Sequence, residues 1–265
     1  MRLRTILAIA ACLGLGACVA APRMGSAALA GRPSPHLEPN PYVLIDRQLH
    51  GWPVYAECGA QPVKPGPVAN LDASLIPSDE YVQQGRRAQA LTEPYRFSIN
   101  LSDGQLKGSN IEVTVPAGFV SDFHSMPDAA VQLTLPVRRA LEAAVVHDWL
   151  YAVGRTGDGA QKKLADQAFA DILTFYRVEG ATHWAVASAV RSGGGKAFGS
   201  PAELRFYNKC FYGQCEAGRL VGWQELRQSP VVALRADPAL RDQLWNLTVC
   251  IRYPGPEAPE LASIN

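Results

Sequence analysis

The chain has 265 residues, of which 48% are hydrophobic, and it carries 25 basic and 24 acidic side chains. This composition is typical of a globular protein and excludes a largely disordered chain. A formal net charge of +1 gives no general attraction for nucleic acid, so we expect no nucleic-acid partner. Beyond the N-terminal segment no uncharged apolar run reaches about 18 residues, so we do not expect the body of the chain to span a membrane.

The N-terminal segment has the pattern of an export signal. A short basic stretch at residues 1–4 is followed by an apolar stretch at residues 5–15, and small residues then precede Cys18. This order resembles the lipobox of bacterial lipoproteins, which implies that residues 1–17 are removed and that Cys18 carries a lipid anchor in the membrane. Val19 after the cysteine resembles the sorting signal for the outer membrane of a Gram-negative bacterium. The alternative is an ordinary signal peptide cleaved a few residues later.

Four cysteines remain after the signal and Cys18 are set aside. In an exported protein they predict up to two disulfides with three possible connectivities, among Cys58, Cys210, Cys215 and Cys250. A zinc site is the alternative, but only Cys210 and Cys215 are close in sequence and no histidine stands at zinc-finger spacing. If Cys210 and Cys215 are joined, a Cys58–Cys250 bond ties the N-terminal arm to the C-terminal tail.

The residue pattern divides the mature chain into four parts. Residues 18–41 are rich in Ala, Pro and Gly and are predicted to form a flexible tether. Residues 42–94 are predicted to be an irregular N-terminal arm with edge-strand character. The most regular patterns lie within a core of residues 95–200, and residues 201–265 form a C-terminal extension.

Within the core, strand patterns precede helix patterns. Apolar and polar residues alternate over Tyr95–Leu101, a turn follows at residues 102–104, and Ile111–Val115 is the predicted return strand. Apolar residues at helical spacing then predict a helix that ends at Gly154, a second helix over Lys162–Tyr176, and further helices after Thr182 and Pro238. The order predicts an α+β fold, with a short β-hairpin or meander followed by an antiparallel helical hairpin and a disulfide-bearing C-terminal segment.

The two predicted hairpin helices carry most of the candidate catalytic and metal-binding residues. His147 and Tyr151 are four residues apart on one helix face, and Asp166 on the returning helix can reach the same place. A carboxylate beside an imidazole fixes its tautomer and favours its charged form, so we expect a raised pKa for His147. Asp148, on a neighbouring face, and Asp122 are candidate oxygen ligands for Ca²⁺. Lys162 and Lys163 are predicted to lie on a solvated face.

Three separate motifs carry a resemblance to a known family. These are Pro116–Pro127, His147-Asp148-Trp149-Leu150-Tyr151 and Ala165-Asp166-Gln167-Ala168-Phe169. In this order they resemble a small bacterial and phage family known as domain of unknown function 1353, over roughly residues 95–200. The resemblance implies a domain, but it implies no reaction.

The helical motifs are also similar to those of phospholipase A2, especially its short prokaryotic and fungal forms. That family has a His-Asp-x-x-Tyr helix and, after a loop, a helix with an Asp-x-x-Phe pattern. The similarity implies that His147 is the general base, Asp148 a calcium ligand and Asp166 the orienting carboxylate, with a phospholipid or another ester as substrate. The chain departs from that family in lacking the cysteines that flank the His-Asp helix and the glycine-rich calcium loop.

Two hypotheses of different classes follow. In the first, the protein is a lipid-anchored hydrolase that uses water activated by His147, with or without Ca²⁺. In the second, it is a non-catalytic envelope lipoprotein whose His147, Tyr151 and Asp166 stabilise a helical hairpin for packing or for binding a partner. The catalytic hypothesis requires that the imidazole lies close to Asp166 and faces an open cleft.

Overall fold

The computed structural model describes residues 63–69, 88–121, 137–178, 180–200, 204–211, 214, 216, 220–228, 231–233 and 238–253. The predicted signal and tether lie outside these residues. Four individual predictions also fall outside them, namely those for Cys18, Cys58, Cys215 and Asp122.

Along the described residues, five short strands precede three long helices, and strands and shorter helices alternate after them. The strands are β1 (Gly66–Ala69), β2 (Gln89–Leu91), β3 (Tyr95–Asn100), β4 (Asn110–Val115), β5 (Val120–Ser121), β6 (Arg205–Tyr207), β7 (Leu220–Val221), β8 (Val231–Ala233) and β9 (Val249–Arg252). The helices are α1 (Val137–Val153), α2 (Gly159–Phe175), α3 (Gly180–Gly193), α4 (Asn208–Phe211), α5 (Trp223–Gln228) and α6 (Pro238–Thr248), with a 3₁₀ turn at Gly194–Lys196. The α+β prediction is confirmed.

The largest described sheet is antiparallel and has the strand order β1-β3-β4-β9. The predicted hairpin forms its centre, with Phe97 paired to Val113 and the chain reversing after Asn100. The edge strand β9 comes from the C-terminal extension and pairs with β4, with Cys250 opposite Glu112. Smaller sheets have the orders β5-β2-β7 and β6-β8. The predicted core and the C-terminal extension therefore share one sheet.

Helices α1 and α2 form the predicted antiparallel hairpin. Tyr176, just after α2, donates a hydrogen bond to Glu142 early in α1, while Asp166 contacts Tyr151 near the end of α1. Asp158 caps the N-terminus of α2, and its carboxylate accepts hydrogen bonds from the backbone N–H groups two and three residues further on, each at 2.9 Å. This cap satisfies donors that have no partner within the helix.

The C-terminal helix packs against the end of α1. The indole N–H of Trp149 donates to the hydroxyl of Thr248 at 2.9 Å, and the Arg241 guanidinium donates to the backbone carbonyl of Ala152. Both Trp149 and Arg241 are buried. The extension therefore helps to hold the end of α1 in place.

One hydrophobic core joins the central sheet to the helical hairpin and α6. Its largest fully buried side chains include Tyr95 and Phe97 of β3 and Trp149 and Phe169 of the hairpin. Within the described residues there is no helix with the length and apolar content needed to cross a membrane.

Candidate functional site

The hairpin brings together three of the predicted site residues. His147, Tyr151 and Asp166 are all buried between α1 and α2. The Asp166 Oδ1 atom lies 3.3 Å from His147 Nε2 and accepts a 2.6 Å hydrogen bond from the Tyr151 hydroxyl. The His147 and Tyr151 rings are stacked at a tilt, with centroids 4.0 Å apart, as the spacing of four residues predicts.

Lys162 is the fourth member of this cluster, and the solvated position predicted for it is wrong. Its ammonium group donates to Asp166 Oδ2 at 2.7 Å and to the Arg191 carbonyl at 3.2 Å, and its side chain is only 20% exposed. Lys162 and Asp166 are four residues apart on α2, so this contact was readable from the sequence as a helical ion pair. We call His147, Tyr151, Lys162 and Asp166 the Asp166 cluster.

The expected rise in the pKa of His147 is contradicted. Burial lowers the pKa of the imidazole, because a charged ring is poorly solvated there, and it outweighs the opposing hydrogen bond and charge of Asp166. The positive charge of Lys162 lowers it further. Only 4% of the His147 surface is exposed, whereas the catalytic hypothesis expected an imidazole facing an open cleft. His147 is therefore neutral in the folded chain at pH 7.

Asp166 has the opposite electrostatic balance. Burial alone raises the pKa of its carboxyl group, but hydrogen bonds from His147, Lys162 and Tyr151 outweigh burial and lower the pKa below its usual range. The Tyr151 pKa is raised, first by burial and then by its hydrogen bond to Asp166. At neutral pH the cluster therefore contains an ionised carboxylate, a protonated phenol and a neutral imidazole.

Asp148 points to a different group, as its position next to His147 predicts. Its carboxylate accepts a hydrogen bond from the Ser121 hydroxyl at the end of β5, and the residue is partly exposed. The described residues contain no group of three or more His, Cys, Asp or Glu side chains arranged to hold a metal ion. Asp122, the other proposed ligand, lies outside them, so the Ca²⁺ site stays a prediction.

Two of the predicted disulfide cysteines lie in the described part of the chain. Cys210 in α4 and Cys250 in β9 are both buried. Their predicted partners, Cys58 and Cys215, lie outside that part, so the connectivity also stays a prediction.

Glycine is required where α3 ends beside the cluster. A Cβ atom on Gly194 would overlap the Tyr151 hydroxyl, whereas a Cβ atom on Gly195 would meet open space. Gly194 therefore allows the 3₁₀ turn to approach the phenol that binds Asp166. This contact joins α3 to the cluster and was not foreseen from the sequence, where these glycines only predicted the end of a helix.

The cluster can fix the tautomer of His147. A neutral imidazole carries one N–H, and the ionised carboxylate favours its location on Nε2. The basic lone pair then lies on Nδ1, the atom that would accept a proton in general-base chemistry. The same contacts equally stabilise the packing of α1 on α2.

The predicted family resemblance is confirmed over residues 101–190, which match a protein family of unknown function, DUF1353. This stretch runs from the end of β3 into α3 and includes all four residues of the Asp166 cluster. No curated protein and no solved structure is significantly similar to the chain, and similarity to phospholipase A2 is not shown. Residues 101–190 thus match the DUF1353 family model, and the candidate site lies within the matched residues.

Proposed function

We propose that the protein is an exported ester hydrolase in which His147 deprotonates the attacking water and Asp166 orients the imidazole. The observation that carries this proposal is the Asp166 carboxylate, which contacts both His147 Nε2 and the Tyr151 hydroxyl. A base held in one tautomer by a carboxylate is a common device for activating water or a nucleophile.

The charge states of the cluster support this proposal. General-base catalysis needs an unprotonated imidazole, and burial provides it by lowering the pKa of His147. Asp166 stays ionised at neutral pH, because its three hydrogen-bond donors outweigh the effect of burial. Tyr151 then acts as a positioning residue, because its hydroxyl binds the carboxylate rather than the imidazole.

The proposed substrate is a phospholipid or another ester at a membrane surface. A lipid anchor on Cys18 would hold the protein where such substrates lie, in the outer membrane. In this proposal Asp148 and Asp122 would hold Ca²⁺, and the ion would supply Lewis-acid polarisation of the ester carbonyl.

Anchoring has a test of its own. We expect metabolic labelling with a fatty acid to label the chain and the Cys18→Ser variant to lose both the label and its partition with membranes. Mature chain that is soluble in the periplasm with an unmodified Cys18 would contradict the anchor, and it would leave the proposed chemistry untouched.

The hydrolase proposal is tested with the full chain on phospholipid vesicles and on soluble esters, with Ca²⁺ or a chelator. We expect Asp166→Asn to lower kcat about 10²- to 10⁴-fold, the range that general-base catalysis contributes. The matched control is Asp158→Asn, which removes a carboxylate from the start of the same helix while preserving its cap. Equal activity in both variants would contradict the proposed role of Asp166.

A second candidate function is a non-catalytic module in which the Asp166 cluster stabilises the helical hairpin. The observation that favours it is the burial of His147, which is 4% exposed. The His147→Ala variant separates the candidates. Loss of activity at unchanged stability supports the hydrolase, whereas a large loss of stability with no turnover by either form supports the module.

A further inference from the structure

A cavity of about 600 Å³ lies on the outer side of α2, against the turn between β3 and β4, α6 and β9. We call it the Trp245 cavity. Asp166 and Arg191 also line it, so the cavity touches the Asp166 cluster. Its volume falls within the range of about 300–1,000 Å³ that is usual for small-molecule sites.

One part of the cavity wall is apolar. Trp245 of α6, Leu164 of α2 and Leu101 after β3 are buried side chains that line it. Leu106 from the β3–β4 turn and Ile251 of β9 complete this surface and are partly buried against the hydrophobic core. The surface suits an aliphatic or aromatic group, because such a group would lose contact with water there.

The rim of the cavity carries charges of both signs, but they are not equally neutralised. Arg155 and Asp242 form an ion pair with each other, with Arg155 Nε 3.1 Å from Asp242 Oδ1. Lys163 and Arg191 are exposed, and neither forms an ion pair within the described part of the chain. Asp103 is an exposed carboxylate on the same rim.

The remaining acid, Asp166, is compensated by Lys162 at 2.7 Å. Two cations, Lys163 and Arg191, are thus set against the single carboxylate of Asp103. The rim therefore has a local excess of positive charge beside an apolar wall, and that combination attracts an anion with an apolar body.

We propose that the Trp245 cavity binds a single-chain amphiphile with an anionic head group. The chain packs against Trp245, Leu106 and Ile251, and the carboxylate or phosphate lies at Lys163 and Arg191. This site goes beyond the proposed hydrolase, because binding requires no turnover. Its shared chemistry fits either a free fatty acid or a phosphate-headed lipid.

Calorimetric titration of the full chain in detergent-free buffer tests the proposal with three soluble probes. Nonanoate and octylphosphonate have the same octyl chain with different anionic heads, and 1-octanol has that chain without a charge. We expect both anions, or one of them, to bind at least about tenfold more tightly than octanol, which corresponds to about 1.4 kcal/mol. The preferred anion identifies the head group, and neither anion contains an ester that His147 could cleave.

Three variants locate the site. Lys163→Met and Arg191→Met should each weaken the binding of the preferred anion about two- to fivefold, as loss of an exposed charge contact does. Leu106→Ser should weaken the anions and octanol together. The matched control is Lys196→Met, because Lys196 is an exposed lysine after α3 that does not line the cavity.

The binding data can overturn this proposal independently of any hydrolytic activity. No heat of binding with any probe, octanol binding as tight as that of the anions, or unchanged affinity in Lys163→Met and Arg191→Met would each refute it. Thermal unfolding of each variant checks that the chain is folded, and the three substituted positions are exposed or partly exposed.

Discussion

The pH dependence of stability tests the electrostatic state of His147. Its pKa is lowered in the folded chain, mainly by burial, from an ordinary value of about 6.5. The unfolded chain therefore binds a proton at a pH where the folded chain does not. The contribution of His147 is fully present above about pH 6.5 and is lost as the pH falls toward the folded pKa.

The size of this effect has an upper bound. A single titrating group changes the free energy of unfolding by at most about 1.4 kcal/mol per pH unit between its two pKa values. Asp166 does not interfere in this range, because its pKa is lowered and its contribution is lost only as the pH falls below the ordinary aspartate value of about 3.9. A window from pH 7.5 to pH 5.5 therefore excludes Asp166, and comparison with a His147 variant separates His147 from the other four histidines.

The assay is urea unfolding of the wild-type chain and the His147→Gln variant at pH 7.5, 6.5 and 5.5. We expect the wild type to lose up to about 1.4 kcal/mol more than the variant between pH 7.5 and pH 5.5. The matched control is His183→Gln, which removes a histidine whose ring hydrogen-bonds to α2 away from the Asp166 cluster. If the wild type instead gained stability relative to His147→Gln as the pH fell, Asp166 would outweigh burial and the reasoning would be refuted.

Three further predictions concern packing, charge and redox state. Gly194→Ala should destabilise the fold by roughly 1–3 kcal/mol in urea unfolding, because its Cβ overlaps the Tyr151 hydroxyl, and equal loss in Gly195→Ala would contradict this cause. Glu112→Gln should cost about 3–5 kcal/mol, because it leaves the nearby guanidinium of Arg252, at 3.0 Å, partly uncompensated in the interior; a loss below about 1 kcal/mol would refute it. The four predicted disulfide cysteines, Cys58, Cys210, Cys215 and Cys250, should react with thiol reagents only after the protein is reduced. Four free thiols in the native protein, measured by mass spectrometry, would contradict the disulfides and favour the zinc alternative.

Local patterns predicted the elements that hold the site. Helical spacing placed His147 and Tyr151 on one face of α1, and a short glycine-containing loop predicted that α2 returns beside it. The proximity of Asp166 followed from those two features, and the described geometry agrees with it. The ends of α1 and of β3 also lie within one residue of their predicted positions.

Long-range pairings could not be read from local patterns. Strand β9 joins β4 across about 140 residues, as the contact of Arg252 with Glu112 illustrates. The alternation of apolar and polar residues in a four-residue strand does not identify the strand that pairs with it, because the pairing is selected by the packing of the whole sheet. The burial of the hairpin also depends on long-range packing, so the sequence did not predict it. This burial lowers the pKa of His147, whereas the sequence predicted a raised pKa.

Asp166 belongs to both proposed sites, the hydrolytic site at His147 and the Trp245 cavity. Its carboxylate binds His147, Tyr151 and Lys162 on the inside of the hairpin, and it also lines the Trp245 cavity on the outside of α2. A change in charge at the cavity therefore acts on the same carboxylate that orients the imidazole. Since an anion bound near Asp166 disfavours its ionised form, occupancy of the cavity should raise the pKa of Asp166, and the Lys162 ammonium, 2.7 Å from that carboxylate, limits this effect.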